Sequence, residues 1–376
     1  MARFKKRDNL SEIYGGLLDN LGDGLFPEPA PMPISPVIER AAKKHLEEME
    51  RRRQEEATGE RSGFAGGKEG ARGDSSEGGR AYGGGYSLID VLPEVKKLSF
   101  ISFGSGSSGN CSYVGDGNTG LLIDAGVDFN TVVAELGRNG IPMNRVKGIL
   151  LTHDHSDHVR FVYSFVRKYR HMAVYCTPRV LNGMLRRHSI SNRIKDYHHP
   201  IYKEHPFKVG SFEVVAFEVM HDGTDNAGFF ITNGKHRFTI ATDLGCVSER
   251  TDYYMRQANY LMIEANYDEA MLSAGSYPEY LKARIRSNTG HMNNEVTARY
   301  LAEIYTENLK QIFLCHLSKD NNTPEKALKC VSDALLAAGV KQVGDSSGSP
   351  YAMMAPVQLM ALPRFDSTGL ISLRLS

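Results

Sequence analysis

The chain contains no apolar run long enough to span a membrane. Its first residues, MARFKKRDNLSEIY, lack the apolar segment of a secretory signal. Charge of one sign is not in excess either, because 45 Lys and Arg against 44 Asp and Glu leave a formal net charge of +1. That balance argues mildly against a non-specific nucleic-acid binder, but not against an enzyme whose metal ions supply local charge. Cysteine is sparse. Cys111, Cys176, Cys246, Cys315 and Cys330 are odd in number and form no Cys-x-x-Cys pair, which points to reduced, mostly buried thiols in a cytoplasmic protein. Internal repeats are absent as well.

The N-terminal region lacks a core-forming pattern. Residues 1–97 hold Pro-rich EPAPMPISP, the charged run ERAAKKHLEEMERRRQEE and a Gly-rich stretch from Gly63 to Gly85, which together bury too little apolar surface to order a domain. One helix is expected there, since Ser35-Pro36 resembles a cap with a first-turn proline and Ile38, Ala42, Leu46 and Met49 recur near helical spacing. From Leu98 the pattern changes to alternating β-type and helical runs up to Val343, enough for one large core. Residues 344–376 are expected to form a tail lying on that core.

The stretch FGSGSSGN (Phe103 to Asn110) contains Gly-x-Gly-x-x-Gly, with Asp124 downstream where a ribose-binding acid would stand. A dinucleotide site needs a helix directly after the glycines. Here the glycines lead instead into two β-type runs, Cys111 to Val114 and Leu121 to Ile123, separated by Gly-Asp-Gly-Asn. No Gly-Lys-Ser/Thr ending occurs, so the P-loop is excluded too. The loop joins strand to strand.

The informative stretch is GILLTHDHSDHVRFVYSFV, in which a β-type run from Gly148 to Thr152 leads into a helical pattern carried by Val159, Val162, Phe165, Val166 and Tyr169. His153, His155, Asp157 and His158 lie between them. In extended backbone, residues two apart face the same way, so His153 and His155 can grip one cation. Asp157 and His158, at the turn into the helix, can address a second. Three later β-type runs end on further donors: His221 after FEVVAFEVM, Asp243 after FTIAT, and His316 after IFLC.

THDHSDH resembles the His-x-His-x-Asp-His signature of the metallo-β-lactamase fold, an α/β (α+β) class structure built as a four-layer αββα sandwich. The resemblance implies two divalent metal ions, with His153, His155 and His221 on one, Asp157, His158 and His316 on the other, and Asp243 bridging. Zinc, manganese and iron all suit such donors. It also implies that Asp124, in LLIDAG, orients a ligand histidine. Within the fold, Glu264 in IEANYD and His291 in GHMNNE resemble the acid and histidine of the nuclease branch. There the acid orients the histidine and the histidine faces the leaving group. Asn293 is a plausible cap for the helix after it.

In order, FGSGSSGN, THDHSDH, IEANYD, GHMNNE and HLSKDNNTPE are similar to the YycJ/WalJ-type exonucleases over residues 98–343. The implied activity is 5′-to-3′ removal of nucleotides from DNA by a hydroxide activated between two metals, with Asp157, Glu264 and His291 in the catalytic set. Substrate contacts are expected from Ser105, Ser107, Ser108 and Asn110 of the loop, and from Asn293, Ser318, Asn321 and Asn322. For the loop, a tight connection without ligand contact is the alternative. Two other readings stay open: an RNA-processing nuclease or cyclic-nucleotide phosphodiesterase with the same residues, and a non-catalytic metal-binding platform with a recruiting tail. The expected partner is nucleic acid, DNA above all, with no membrane association.

Overall fold

The computed structural model describes residues 97–345, 352 and 354–375, all within the unit Tyr86–Ser376. The helix expected before residue 97 lies outside the described residues. Strands β1 (Leu98–Gly104), β2 (Cys111–Gly115), β3 (Gly120–Ile123), β4 (Val146–Leu150), β5 (Ala173–Cys176) and β6 (His198–Pro200) come first in the chain. They are followed by β7 (Phe207–Val209), β8 (Phe212–Glu218), β9 (Ala227–Asn233), β10 (His236–Ala241), β11 (Tyr260–Glu264) and β12 (Gln311–Cys315). Three short strands close it: β13 (Val343–Gly344), β14 (Val357–Ala361) and β15 (Ile371–Leu373).

These strands form two mixed sheets, in the orders β15-β1-β2-β3-β4-β5-β6 and β13-β14-β12-β11-β10-β9-β8-β7. Side chains sort by the two-residue period of a strand. On β1, Phe100 turns toward the other sheet while Ile101 and Phe103 turn outward; on β12, Phe313 and Cys315 turn inward while Ile312 and Leu314 turn outward. Where the sheets meet, the Phe100 ring stacks on Phe313 at 4.4 Å and meets Phe238 edge-on at 5.4 Å.

Helices cover both outer faces. Against the first sheet lie α1 (Phe129–Arg138), α2 (Ser156–Val159), α3 (Val162–Lys168) and α4 (Pro178–Arg187), through Val132, Leu136, Phe165, Val166 and Met184. The remaining helices are α5 (Glu249–Met255), α6 (Glu269–Ala274), α7 (Glu279–Arg286), α8 (Asn294–Ile304) and α9 (Pro324–Ala337). Of these, α5, α8 and α9 pack on the second sheet through Tyr254, Leu301, Ile304, Val331 and Leu335, while α6 and α7 share a small cluster of Tyr267, Leu272 and Ile285. The result is the four-layer αββα sandwich. The helical pattern after the signature is broken into α2 and α3 at Arg160-Phe161, where Phe161 N–H donates to the Ala125 carbonyl.

Past residue 344, Val357–Ala361 and Ile371–Leu373 enter the sheets themselves. Strand β14 pairs in parallel with β12, and β15 pairs antiparallel with β1, Leu373 opposite Leu98. FGSGSSGN connects β1 to β2, strand to strand. No helix among the described residues is long and apolar enough to cross a membrane.

Because Phe100 is fully buried between the two sheets, Phe100→Ala should destabilise the protein by about 3–5 kcal/mol, read from the urea midpoint at unchanged slope. A loss well under 1 kcal/mol would contradict the description of this central layer.

Candidate active site

Five of the donors singled out in the sequence stand at or just past the C-terminal end of a strand: His153 after β4, His221 after β8, Asp243 after β10, Glu264 at the end of β11, and His316 after β12. Because β10, β11 and β12 run parallel, their ends share one edge. Strand alternation continues into the signature, where Asp154 points away from His153 and His155. It is fully buried and accepts from the N–H (2.8 Å) and hydroxyl (2.6 Å) of Thr224. That bond ties the signature to the turn carrying His221.

Five histidines converge, and each has one ring nitrogen engaged away from the centre. His158 Nδ1 bonds Asp124 Oδ2 at 2.7 Å, His316 Nδ1 bonds Glu264 Oε1 at 2.9 Å, and His221 Nδ1 donates to the Gly290 carbonyl at 3.1 Å. His153 Nδ1 meets the Thr152 hydroxyl at 3.0 Å, and His155 Nε2 faces Asp222 Oδ1 at 3.5 Å. Outer partners of this kind fix the ring orientation and tautomer of a metal-binding histidine.

The inner atoms are then His153 Nε2, His155 Nδ1 and His221 Nε2 on one side, with His155 Nδ1 at 3.0 and 3.3 Å from the other two. On the other side His158 Nε2 and His316 Nε2 lie 3.5 and 3.6 Å from Asp157 Oδ2. Asp243 reaches both: its Oδ1 is 3.7 Å from His221 Nε2 and its Oδ2 is 3.2 Å from His158 Nε2. Unprotonated ring nitrogens this close repel unless a cation lies between them. Asp243 Oδ2 and His316 Nε2 are also buried without any hydrogen-bond partner, so the donor set fits divalent cations bound by imidazole and carboxylate.

The electrostatics agree. Burial opposes ionisation of Asp243, yet the facing imidazoles of His316, His158 and His153 hold its carboxyl well below the usual range. Burial pushes His153 well below the ordinary imidazole value, with the His158 ring adding to it. His158 is driven the other way, well above, because Asp243, Asp124 and Asp157 outweigh its burial. The site is a set of buried charges that hold one another, the carboxylates of Asp243, Asp124 and Asp157 against the rings of His158 and His316.

Two non-glycine residues here adopt left-handed backbone, Asp124 at φ 59° and His316 at φ 54°. Such conformations cost of order 1–3 kcal/mol each and persist where surrounding bonds enforce them. For Asp124 those bonds are to His158 and to the Thr152 N–H (2.9 Å) and hydroxyl. For His316, the backbone N–H donates to Ser105 Oγ at 2.9 Å and the carbonyl accepts from Asn266 Nδ2 at 2.7 Å.

Beside this cluster, Glu264 is fully buried and its Oε1 accepts from His291 Nδ1 at 2.7 Å. The same oxygen accepts from His316 Nδ1, so Glu264 serves two histidines. The His291 ring stands 5.1 Å from that of His221 and 5.3 Å from that of His316, centroid to centroid.

The expected substrate contacts divide. Ser107 and Ser108 are exposed. Asn110 is buried and directs Nδ2 at Asp157 Oδ2 (3.2 Å) and His158 Nε2 (3.0 Å), which makes it a neighbour of the cluster. The other five are engaged by the scaffold. Ser105 bonds the His316 backbone; Asn293 caps α8 by accepting from Val296 N–H at 2.7 Å; Ser318 Oγ accepts from Asn321 N–H at 3.2 Å. Asn322 is buried with Nδ2 on the Ala265 and Asn266 carbonyls, and Asn321 is buried beside it. Ser105, Asn321 and Asn322 are all buried, and the bonds named here run to the scaffold.

Thr152, Asp154 and Asp222 also belong to the site, although no motif singled them out. Asp222 directly follows His221, and its Oδ2 is gripped by Arg284 at 2.7 Å while its buried Oδ1 faces His155 and His221. An acid next to a ligand-type histidine was the available signal.

A four-layer sandwich with a His/Asp cluster at one edge defines a class, and a β-lactamase superfamily domain model matches residues 119–316; the chain belongs to that superfamily. Within it, the chain falls with the YycJ/WalJ family. It is 36% identical to exodeoxyribonuclease YycJ of Bacillus anthracis over 242 residues, which cover 64% of this chain and 90% of that relative. Exodeoxyribonuclease WalJ of Streptococcus pneumoniae is 32% identical over 223 residues, 59% of this chain and 82% of that relative. Among solved structures, the metallo-β-lactamase fold protein YhfI from Bacillus subtilis aligns with a TM-score of 0.50 at 13% identity, covering 72% of this chain and 98% of its own. Zn(2+)-bound PqqB from Methylobacterium extorquens aligns at 0.51 and 17% identity, covering 72% and 99%. At those identities the two structures carry the fold alone.

Asp124→Asn keeps a side chain tolerant of the left-handed backbone but removes the charge behind His158. Metal affinity, measured by chelator competition, should fall about 10–100-fold. An unchanged affinity would remove Asp124 from the support of the site.

Proposed function

We propose that the protein is a metal-dependent phosphodiesterase that removes nucleotides from DNA ends, working along the strand in the 5′-to-3′ direction. The observation that carries this reading is the buried Glu264 holding His291 beside the metal-type cluster: a binding platform has no use for a histidine so placed. The names of the YycJ and WalJ relatives support DNA as the substrate. Three histidines (His153, His155, His221) would hold one cation, Asp157, His158 and His316 a second, and Asp243 both; zinc or manganese suits these donors. Bound there, divalent cations supply an activated water at neutral pH and offset charge on the scissile phosphate.

The chain's own residues do the rest. Glu264 fixes His291 with Nδ1–H toward the carboxylate, which turns Nε2 outward as the proton donor for the leaving 3′ oxygen. Although burial disfavours its charge, Glu264 keeps the His291 imidazolium above its ordinary pKa. That shift favours the protonated ring that a general acid needs. Asp124 and Asp222 hold ligand rings in place, and Ser107 and Ser108 stand exposed on the loop whose Asn110 borders the cluster. We place the protein in the cytoplasm, a reading supported by five free cysteines.

His291→Ala should retain its metal content and lose about 10²–10⁴ in turnover on DNA. Full activity in that variant would sink the assignment. In the wild type, turnover should fall as pH rises through the raised His291 pKa, because the acid form is lost. Glu264→Gln removes the charge that raises it, so in metal-saturated protein this alkaline limb should move to lower pH. A limb that stays in place would show that His291 is not the titrating acid.

A further inference from the structure

Beside His291 opens a cleft of about 480 Å³ that the metal-type cluster does not use. It runs from His291 along α8 past Asn293, Val296 and Arg299, positions three residues apart that share one helix face, with Val247 from the loop after Asp243 also lining it. Its volume falls within the roughly 300–1,000 Å³ typical of small-ligand sites. The charges inside it are unequal in availability. Glu303, at its far end, is bound by Arg256 at 2.6 Å, and Arg286 is bound by Glu269 at 2.6 Å. Arg299 is exposed and forms no ion pair among the described residues. The cleft thus joins apolar wall, from Val247, Val296 and Met292, to one uncommitted guanidinium, the group best suited to a phosphate.

We propose that this cleft receives the 5′-terminal nucleotide of the DNA strand and that Arg299 binds its 5′ phosphate. The inference rests on the exonuclease reading and adds the group by which a strand end is recognised. Hydrolysis adds water across the P–O3′ bond: hydroxide goes to phosphorus and a proton to O3′. When digestion starts at a 5′ end, O3′ belongs to the nucleotide being released. That nucleotide must lie on the His291 side of the scissile phosphate, where the cleft begins. The products are a 5′-mononucleotide with a free 3′ hydroxyl and a strand shortened by one, carrying a new 5′ phosphate. Each cut regenerates the end that Arg299 reads.

The test uses the full chain, loaded with metal, in wild-type, Arg299→Ala and Arg299→Lys forms. By calorimetric titration, Arg299→Ala should bind 5′-dAMP about tenfold or more weakly, with deoxyadenosine affinity and metal content unchanged, and Arg299→Lys should fall between. In digestion, the wild type should favour 5′-phosphorylated over 5′-hydroxyl DNA, and Arg299→Ala should lose that preference. If the wild type digests DNA from its end but Arg299→Ala keeps both its 5′-dAMP affinity and the preference, the cleft assignment is overturned and the exonuclease reading stands. If the wild type releases no nucleotide from any DNA end, the exonuclease reading fails and takes this inference with it.

Discussion

One buried carboxylate holds the site together. Glu264 Oε1 accepts from both His291 and His316, while its Oε2 accepts from the backbone N–H groups of Leu244, at 2.9 Å, and Met292, at 3.2 Å. A fully buried charge is tolerable only when it is bonded on all sides. Four donors meet that requirement, and they come from the turn after β10, the approach to α8 and the turn after β12. Burial alone would raise the Glu264 pKa, but His291 and His316 lower it on balance, so the carboxylate is ionised across the neutral range. The residue proposed for catalysis and a residue proposed for metal binding are therefore oriented by the same oxygen.

The fold explains why so many donors can be brought to one place. Parallel strands β10, β11 and β12 deliver Asp243, Glu264 and His316 to one edge in register, Ala241 beside Ile263 and Glu264 beside Cys315. The first sheet supplies the signature after β4, locked to the neighbouring loops by backbone bonds: Asn110 N–H to the Asp157 carbonyl, and Ala125 N–H to the His158 carbonyl. Gly126 permits this, since any β-carbon there would collide with the Asp157 carbonyl oxygen. The glycine-rich loop, which first suggests a dinucleotide, is part of the same lock. Its Ser105 anchors the strained His316 and its Asn110 borders Asp157 and His158.

Much of this was legible because strand-end donors leave a strong trace: a β-type run followed at once by His or Asp. The signature, His221, Asp243 and His316 were found that way, and the structure brings them within one cluster. Two kinds of feature left no such trace. Strands β14 and β15 are short, and β15 pairs with β1 across nearly the whole described chain, a contact that no local pattern reports. The asparagines of HLSKDNN look like ligand residues in a polar run, yet Asn322 is spent on the Ala265 and Asn266 carbonyls. Buried polar residues with scaffold bonds and exposed ones awaiting a substrate read alike in sequence; only burial tells them apart.

Release of nucleotides from a 5′ end is the central claim. The most direct measurement is a time course of DNA labelled on its 5′ phosphate, incubated with the metal-loaded full chain and resolved by size. The label should appear as mononucleotide from the first time point. Label that remains on shortened strands, or that appears in internal fragments, would contradict it.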